Sequence, residues 1–322
     1  MSKYVKLCRP DQWIKNVLVV IGALLCYAIL NTQTSLPIFF SSFDFTRLSQ
    51  MILIFCLGSS SNYILNEYLD RHNDVFHPIK KDRVAVAYQL RPTLVFTIYF
   101  LLSVVSILLA VTMSKFTVIL VISFLFFGLI YNVKPFRTKD IPFIDVYWES
   151  LNAPVRVVAG WHAVQADTFP SISLILGFYF AGVFLMTSKR ASELKVLSSN
   201  NESSPAKYRR VFEVYTESRL IALLIFNVCL ATTFFTIFVT EYNASLLITV
   251  PGVFLLFSMN ISKVFKDASM VTKTPHYIYR DKATLAVLAL FAGLFSLLHS
   301  LSAEILQSII ESQFAFLPVI FK

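Results

Sequence analysis

NYILNEYLDRHNDVFHPIKKDR, residues 62–83, follows directly on an apolar run that begins at Met51, and the join between the two decides the fold. The apolar part is about as long as one bilayer crossing, and carboxylates placed where a chain leaves a membrane are costly enough to need a reason. On a helix, Asn62, Asn66, Asp70 and Asp74 stand four residues apart. They form one slowly drifting stripe with Glu67 beside it. A polar stripe of that kind has to face a bundle interior or a wet cavity rather than lipid.

The rest of the chain supports the membrane reading. Of 322 residues, 56% are hydrophobic and only 15% are charged, with a mean hydropathy of +0.67; a soluble domain carries nearer a quarter charged residues. Apolar blocks of spanning length lie near 16–36, 48–69, 93–113, 115–133, 142–163, 170–188, 218–240, 244–264 and 283–305. The expectation is therefore an all-α integral membrane protein, one transmembrane domain over 1–322 with about nine transmembrane helices. The first block lacks the small-residue cleavage site of a removable signal peptide.

Orientation follows from Lys and Arg, which short cytoplasmic loops retain. Basic residues crowd the N-terminus (Lys3, Lys6, Arg9, Lys15) and the loops near 70–92, 134–141, 189–215 and 265–282, the last holding Lys273 and Arg280. The other side has only Arg47, Lys115 and Lys322. This predicts a cytoplasmic N-terminus and an external C-terminus. It also accounts for the net charge of +9 by topology and anionic-lipid contact, without a nucleic-acid partner. Cys8, Cys26, Cys56 and Cys229 are scattered, so neither a zinc site nor a disulfide framework is expected. The insert SSNNESSPAKYRR at 198–210 reads as a flexible loop.

A second constellation, KDIPFIDVYWESLNAPVRVVAGW at 139–161, places Asp145, Glu149, Asn152 and Arg156 on one helix face. Pro154 loosens that helix by freeing the carbonyl four residues earlier. Two acidic stripes accompanied by Lys and Arg suggest a Mg²⁺-bound diphosphate, because Mg²⁺ takes hard carboxylate oxygens and completes its shell with water and substrate phosphate. Candidate metal ligands are Glu67, Asp70, Asp74, Asp145 and Glu149, with Asn66 beside them. Candidate phosphate clamps are Lys15, Arg83, Lys134, Lys139, Arg156, Lys189 and Arg190. The blander alternatives are Asp70 and Asp74 as helix-end charges paired with Arg71 and Lys80, and Arg156 as a counter-ion for Glu149. His72 and His77 read as interfacial residues rather than ligands.

The chemistry that needs such a site is displacement of diphosphate from a carbon able to carry positive charge. Here the chain resembles the UbiA superfamily of intramembrane prenyltransferases: NEYLDRHND is similar to its first motif and Asp145 to Glu149 to its second. RPDQWIKN at 9–16, HPIKKDR at 77–83 and SKRASEL at 188–194 resemble the polyprenyl-phosphate phosphoribosyltransferase branch. The resemblance implies a helical bundle around a central cavity, Mg²⁺ as cofactor, a phosphoribosyl diphosphate donor, a polyprenyl phosphate acceptor in the membrane, and a bacterial plasma-membrane location. Two stretches depart from the family pattern. Asn66-Glu67 stands where Asn-Asp is usual, and Arg83-Val84-Ala85-Val86-Ala87-Tyr88 where Arg-Pro-Ile-Ala-Ser-Gly is usual. The other functions compatible with the residues are prenyl transfer to an aromatic or quinone-precursor acceptor, and ion-coupled transport.

Overall fold

The computed structural model describes residues 3–30, 44–199, 205–266, 268 and 281–300, and every regular element among them is helical. Most of the expected loop at 265–282, with Lys273 and Arg280, lies outside the described residues, as does Lys322. A short helix, Lys3–Leu7, and a 3-10 segment, Pro10–Asn16, precede α1 (Val17–Leu30). Then come α2 (Phe45–Asp74), α3 (Pro92–Val111), α4 (Lys115–Asn132), α5 (Ile144–Ser150) and α6 (Asn152–Val164). The order closes with α7 (Ile172–Ser199), α8 (Glu217–Tyr242), α9 (Val250–Lys266) and α10 (Lys282–Ser300).

Local sequence explains where these helices begin. Asp44 accepts from the Arg47 N–H at 3.0 Å, Ser114 from Thr117 N–H at 3.0 Å and Thr216 from Arg219 N–H at 3.3 Å, each satisfying a first-turn donor that the helix itself cannot. Pro92 opens α3, where its missing N–H costs nothing.

Seven helices among the described residues are long and apolar enough to cross a membrane, so the chain is an integral multi-pass membrane protein. The nine-block expectation differs at two places. The block at 142–163 is two short helices, α5 and α6, meeting at Leu151. The cause is Pro154, which has no N–H to offer the Ser150 carbonyl, so the first helix stops there. The last block is the shorter apolar helix Lys282–Leu298.

The long α2 is the central span, more thoroughly buried than any other described span. Its Met51, Ile54 and Phe55 share a core with Val19, Ala23, Val121 and Phe124. On the outside, Phe100, Leu101, Leu108 and Ile119 are exposed, the faces expected to meet lipid. The helices α1 and α6 pack backbone to backbone. A Cβ on Gly22 would lie 2.0 Å from the Val157 carbonyl oxygen, and one on Gly160 would lie 1.8 Å from that of Val19. Such reciprocal small-residue contact is how helices approach closely without a hydrophobic driving force. It brings the start of α1, at Asn16, against Arg156 of α6.

The polar ends gather on one side. The Asp74 end of α2, the Asn132 end of α4, the start of α5, the end of α7 and the segment 205–215 are joined by ion pairs and hydrogen bonds.

Candidate active site

A cavity of about 290 Å³ opens among these polar ends. One wall is α2, which contributes Ser59, Asn62, Tyr63, Asn66 and Asp70. Those positions fall on one helix face and run over roughly 16 Å at 1.5 Å per residue. The lining also includes Glu149 of α5, Asn152 and Arg156 of α6, and Lys189 and Arg190 of α7. Arg9 and Lys15, from the N-terminal segment, and Lys80, Arg83 and Arg209, from two connections, close the rim. The expected sites Asn66, Asp70, Glu149, Lys15, Arg83, Arg156, Lys189 and Arg190 are thus brought to one space, while Glu67, Asp74, Asp145 and Lys139 stand behind its lining and Lys134 is exposed away from it.

The acids of the first motif divide by partner. Asp70 accepts from both Arg137 Nη2 at 3.0 Å and Lys139 Nζ at 2.5 Å on Oδ1, which leaves Oδ2 without a protein donor among the described residues. Asp74, 1% exposed, is closed by Arg83 Nη1 at 2.7 Å. Neither pairs with Arg71 or Lys80: Arg71 donates to the Tyr68 carbonyl, and Lys80 belongs to Glu193. Glu67 accepts from the Ala85 N–H at 3.2 Å and lies 3.9 Å from Arg9. The two departures from the family pattern therefore meet, the longer acid reaching the turn that follows Arg83.

The second motif divides more sharply. Asp145 is fully buried, with Oδ2 taken by Arg190 Nε at 2.6 Å and Oδ1 by the Tyr215 hydroxyl at 2.5 Å. Arg190 continues to Glu193 at 2.6 Å and to the Tyr131 hydroxyl at 3.0 Å. Lys80 donates to Glu193 and to the Tyr208 hydroxyl, tying the two halves of the site together through Glu193. Glu149, by contrast, has no cationic partner among the described residues and touches only Asn152, one turn on. Among the described residues Arg156 makes no ion pair with it within 4.0 Å, although the two charges attract one another. The Arg156 nitrogens donate to Asn16 Oδ1 at 2.8 Å, the Asn152 carbonyl at 2.9 Å and Ser59 Oγ at 3.4 Å.

Burial sets the protonation of the connecting loops. It lowers Lys80 to about 8, opposed by Glu193, and Lys139 to about 8, opposed by Asp70. The His77 imidazole, also buried, falls to about 3 and stays neutral, its Nδ1 accepting from the Ile79 and Lys80 N–H groups. Burial, reinforced by Asp145, pushes the Tyr215 hydroxyl up, so it donates as a neutral phenol.

Backbone strain gathers at the same place. Arg9, Arg137 and Phe143 all have positive φ without being glycine, a conformation costing roughly 1–2 kcal/mol per residue. Arg9 lines the cavity, Arg137 holds Asp70, and the Phe143 N–H donates to Tyr215 at 2.8 Å.

Among the described residues no group of three or more His, Cys, Asp or Glu is disposed to hold a metal, and Asp74 and Asp145 are each paired with an arginine. The remaining donors still suit Mg²⁺, which usually takes one or two carboxylates and leaves the rest of its shell to water and substrate phosphate. Asp70 Oδ2 and the Glu149 carboxylate are hard oxygens on residues that line the same cavity, both free of a protein donor among the described residues except for the weak Asn152 contact.

Lys80, read from sequence as a partner of the first acidic stripe, instead pairs with Glu193, a residue inside SKRASEL with no role assigned from sequence. Arg209 and Tyr208 fall in the insert read as a flexible loop, and nothing in that composition marks them.

The UbiA prenyltransferase family matches residues 19–274. A decaprenyl-phosphate phosphoribosyltransferase of Mycolicibacterium smegmatis is 28% identical over 221 residues, 68% of this chain and 64% of that protein. One of Corynebacterium glutamicum is 28% identical over 218 residues, 67% of this chain and 60% of that one. The chain thus spans less than two thirds of these relatives' length. A UbiA homologue of Archaeoglobus fulgidus, bound to DMAPP and Mg²⁺, superposes with a TM-score of 0.62 at 15% identity, over 94% of this chain and 100% of that one, which is a likeness of fold.

Proposed function

We infer that this chain, which belongs to the UbiA prenyltransferase family, is a Mg²⁺-dependent membrane transferase that moves 5-phosphoribosyl from phosphoribosyl diphosphate to a polyprenyl phosphate. The observation that carries this reading is the charge left open in the cavity. Lys15, Arg156, Lys189 and Arg209 line it, and none has a carboxylate within 4.0 Å among the described residues. A prenyl diphosphate brings one diphosphate to such a site. Phosphoribosyl diphosphate and a polyprenyl phosphate together bring a diphosphate and two phosphate monoesters, the larger anionic load that suits two buried arginines and two half-buried lysines without a paired carboxylate. The phosphoribosyltransferases among the relatives support the same choice.

Asp70 and Glu149 are the residues that would hold Mg²⁺. When bound, the ion supplies charge neutralisation to the departing diphosphate. Lys189 and Arg209 stabilise the same developing charge, and Arg190, held rigid by Asp145 and Glu193, needs no reorganisation to join them. The bond from ribose C1 to the diphosphate oxygen breaks with its electron pair leaving on diphosphate, and a lipid phosphate oxygen forms the new bond to C1. That oxygen is already anionic, so no strong general base is required. Among the described residues, no histidine lines the cavity. The polar end of the bundle faces the cytoplasm in this account, where a water-soluble donor enters, and the membrane is a bacterial plasma membrane.

Purified protein with Mg²⁺ should convert phosphoribosyl diphosphate and polyprenyl phosphate to a lipid-linked phosphoribose. Formation of a prenylated aromatic from prenyl diphosphate and 4-hydroxybenzoate, with no lipid-linked phosphoribose, would replace this reading by prenyl transfer. Ion flux that persists without Mg²⁺, with neither product, would replace it by transport.

A further inference from the structure

The open cations are not spread evenly. Arg209 stands at the polar end, 3.1 Å from the Tyr131 hydroxyl that Arg190 also reaches. Arg156 stands at the other end, against Ser59, near the midpoint of the 30-residue α2. It is 6% exposed, and every hydrogen bond it makes is to a neutral oxygen. Its guanidinium lies 4.6 Å from the Phe124 ring centroid. Glu149 is the carboxylate whose charge acts on it, yet no carboxylate lies within 4.0 Å among the described residues, and a cation that deep is expensive unless a ligand completes its pairing. At the polar end the basic side chains Arg83, Arg137, Lys139 and Arg190 each have an acid of the protein instead.

The surroundings say which anion reaches it. Asn16, the Arg156 partner, ends the segment Pro10–Asn16. That segment buries Gln12 and Asn16 inward and leaves Trp13, Ile14 and, one residue on, Val17 exposed on the outer surface. The Trp13 indole is anchored by donating to Ser60 Oγ at 2.8 Å, next to Ser59. An apolar outer face and a polar inner face thus lie on the same few residues, beside the middle of α2. A water-soluble donor has no reason to cross to this end, whereas an amphiphile can leave its hydrocarbon against Trp13 and Ile14 and direct its head group inward.

We propose that Arg156, positioned by Asn16 and Ser59, is a separate anion subsite that receives the phosphate monoester of the lipid acceptor, apart from the diphosphate subsite at Asp70 and Glu149. This rests on the phosphoribosyl-transfer reading and adds a division of the cavity. The donor occupies the polar half, the acceptor phosphate the deep half, and ribose C1 falls between them. The planar fork of Arg156 suits a phosphate better than a lysine would.

The test is a separation of Michaelis constants. With Arg156→Gln, KM for polyprenyl phosphate should rise tenfold or more while KM for phosphoribosyl diphosphate stays within twofold; with Arg209→Gln the pattern should reverse. Arg156→Lys, which keeps the charge, should give an intermediate rise and serves if the glutamine variant does not fold. Geranylgeranyl phosphate binding to donor-free protein, followed by calorimetry, should weaken in parallel. A rise in donor KM alone with Arg156→Gln, or unchanged geranylgeranyl phosphate binding in both Arg156 variants, overturns the subsite. Wild-type protein that binds geranylgeranyl phosphate through Arg156 yet makes no lipid-linked phosphoribose overturns the reaction and leaves the subsite standing.

Discussion

Asp145 and Glu149 sit four residues apart on one short helix, and the structure uses them in opposite ways. Asp145 is sealed, with both oxygens held by Arg190 and Tyr215. Glu149 lines the cavity with no cation within ion-pair distance among the described residues. The same division runs through the bases: Arg83 closed by Asp74, Arg156 open. Closed pairs form the walls, and open charges mark where a ligand completes the electrostatics. Spacing on a helix cannot tell these apart, because the deciding partner comes from another helix.

The largest effect expected from this division is on stability. Asp145→Asn removes one partner from a buried, hydrogen-bonded ion pair and should destabilise by about 3–5 kcal/mol, read as a lower unfolding temperature in detergent or nanodiscs. An unchanged melting curve with lost turnover would move Asp145 back among the groups that touch substrate. Glu149→Gln should do the converse, cutting turnover on the order of 10²–10³-fold with the melting curve intact.

A smaller effect is expected from pH. Burial, with Arg83 and Arg209 nearby, holds Lys80 at about 8 against an ordinary 10.5, while Glu193 and Asp74 pull the other way. Between those values the unfolded chain binds the extra proton, so this group gives the fold no loss of stability as pH rises. What disappears above about 8 is the ammonium that joins Glu193 and Tyr208, hence the alignment of Arg190. Activity should decline several-fold through that point while melting does not, and Lys80→Arg should flatten the decline. An identical profile in that variant would dissociate Lys80 from the site. The smallest effect is Lys134→Ala: exposed and away from the cavity, it should change stability by less than about 0.5 kcal/mol and leave both Michaelis constants alone.

Much of the fold was legible because membrane spans declare themselves by length and hydropathy, and the α2 stripe by its spacing of four. Asp70, Asn66, Glu149 and Arg156 were found on that basis and do face one space. The block at 142–163 appears in the structure as two shorter helices, and Pro154 carried the sign of that break. Asp145 looked equivalent to Glu149 because its partners lie 45 and 70 residues away in the chain. Arg209 was invisible inside a Ser- and Asn-rich insert, and only tertiary packing against Tyr131 gives it a place.

The central claim, that this cavity is built for a Mg²⁺-bound sugar diphosphate, is tested most directly by titrating purified protein with phosphoribosyl diphosphate. Saturable binding that requires Mg²⁺, weakens steeply in Glu149→Gln and is unaffected by Lys134→Ala is the predicted result. No binding of phosphoribosyl diphosphate at any Mg²⁺ concentration, by protein that binds geranylgeranyl diphosphate under the same conditions, would contradict it.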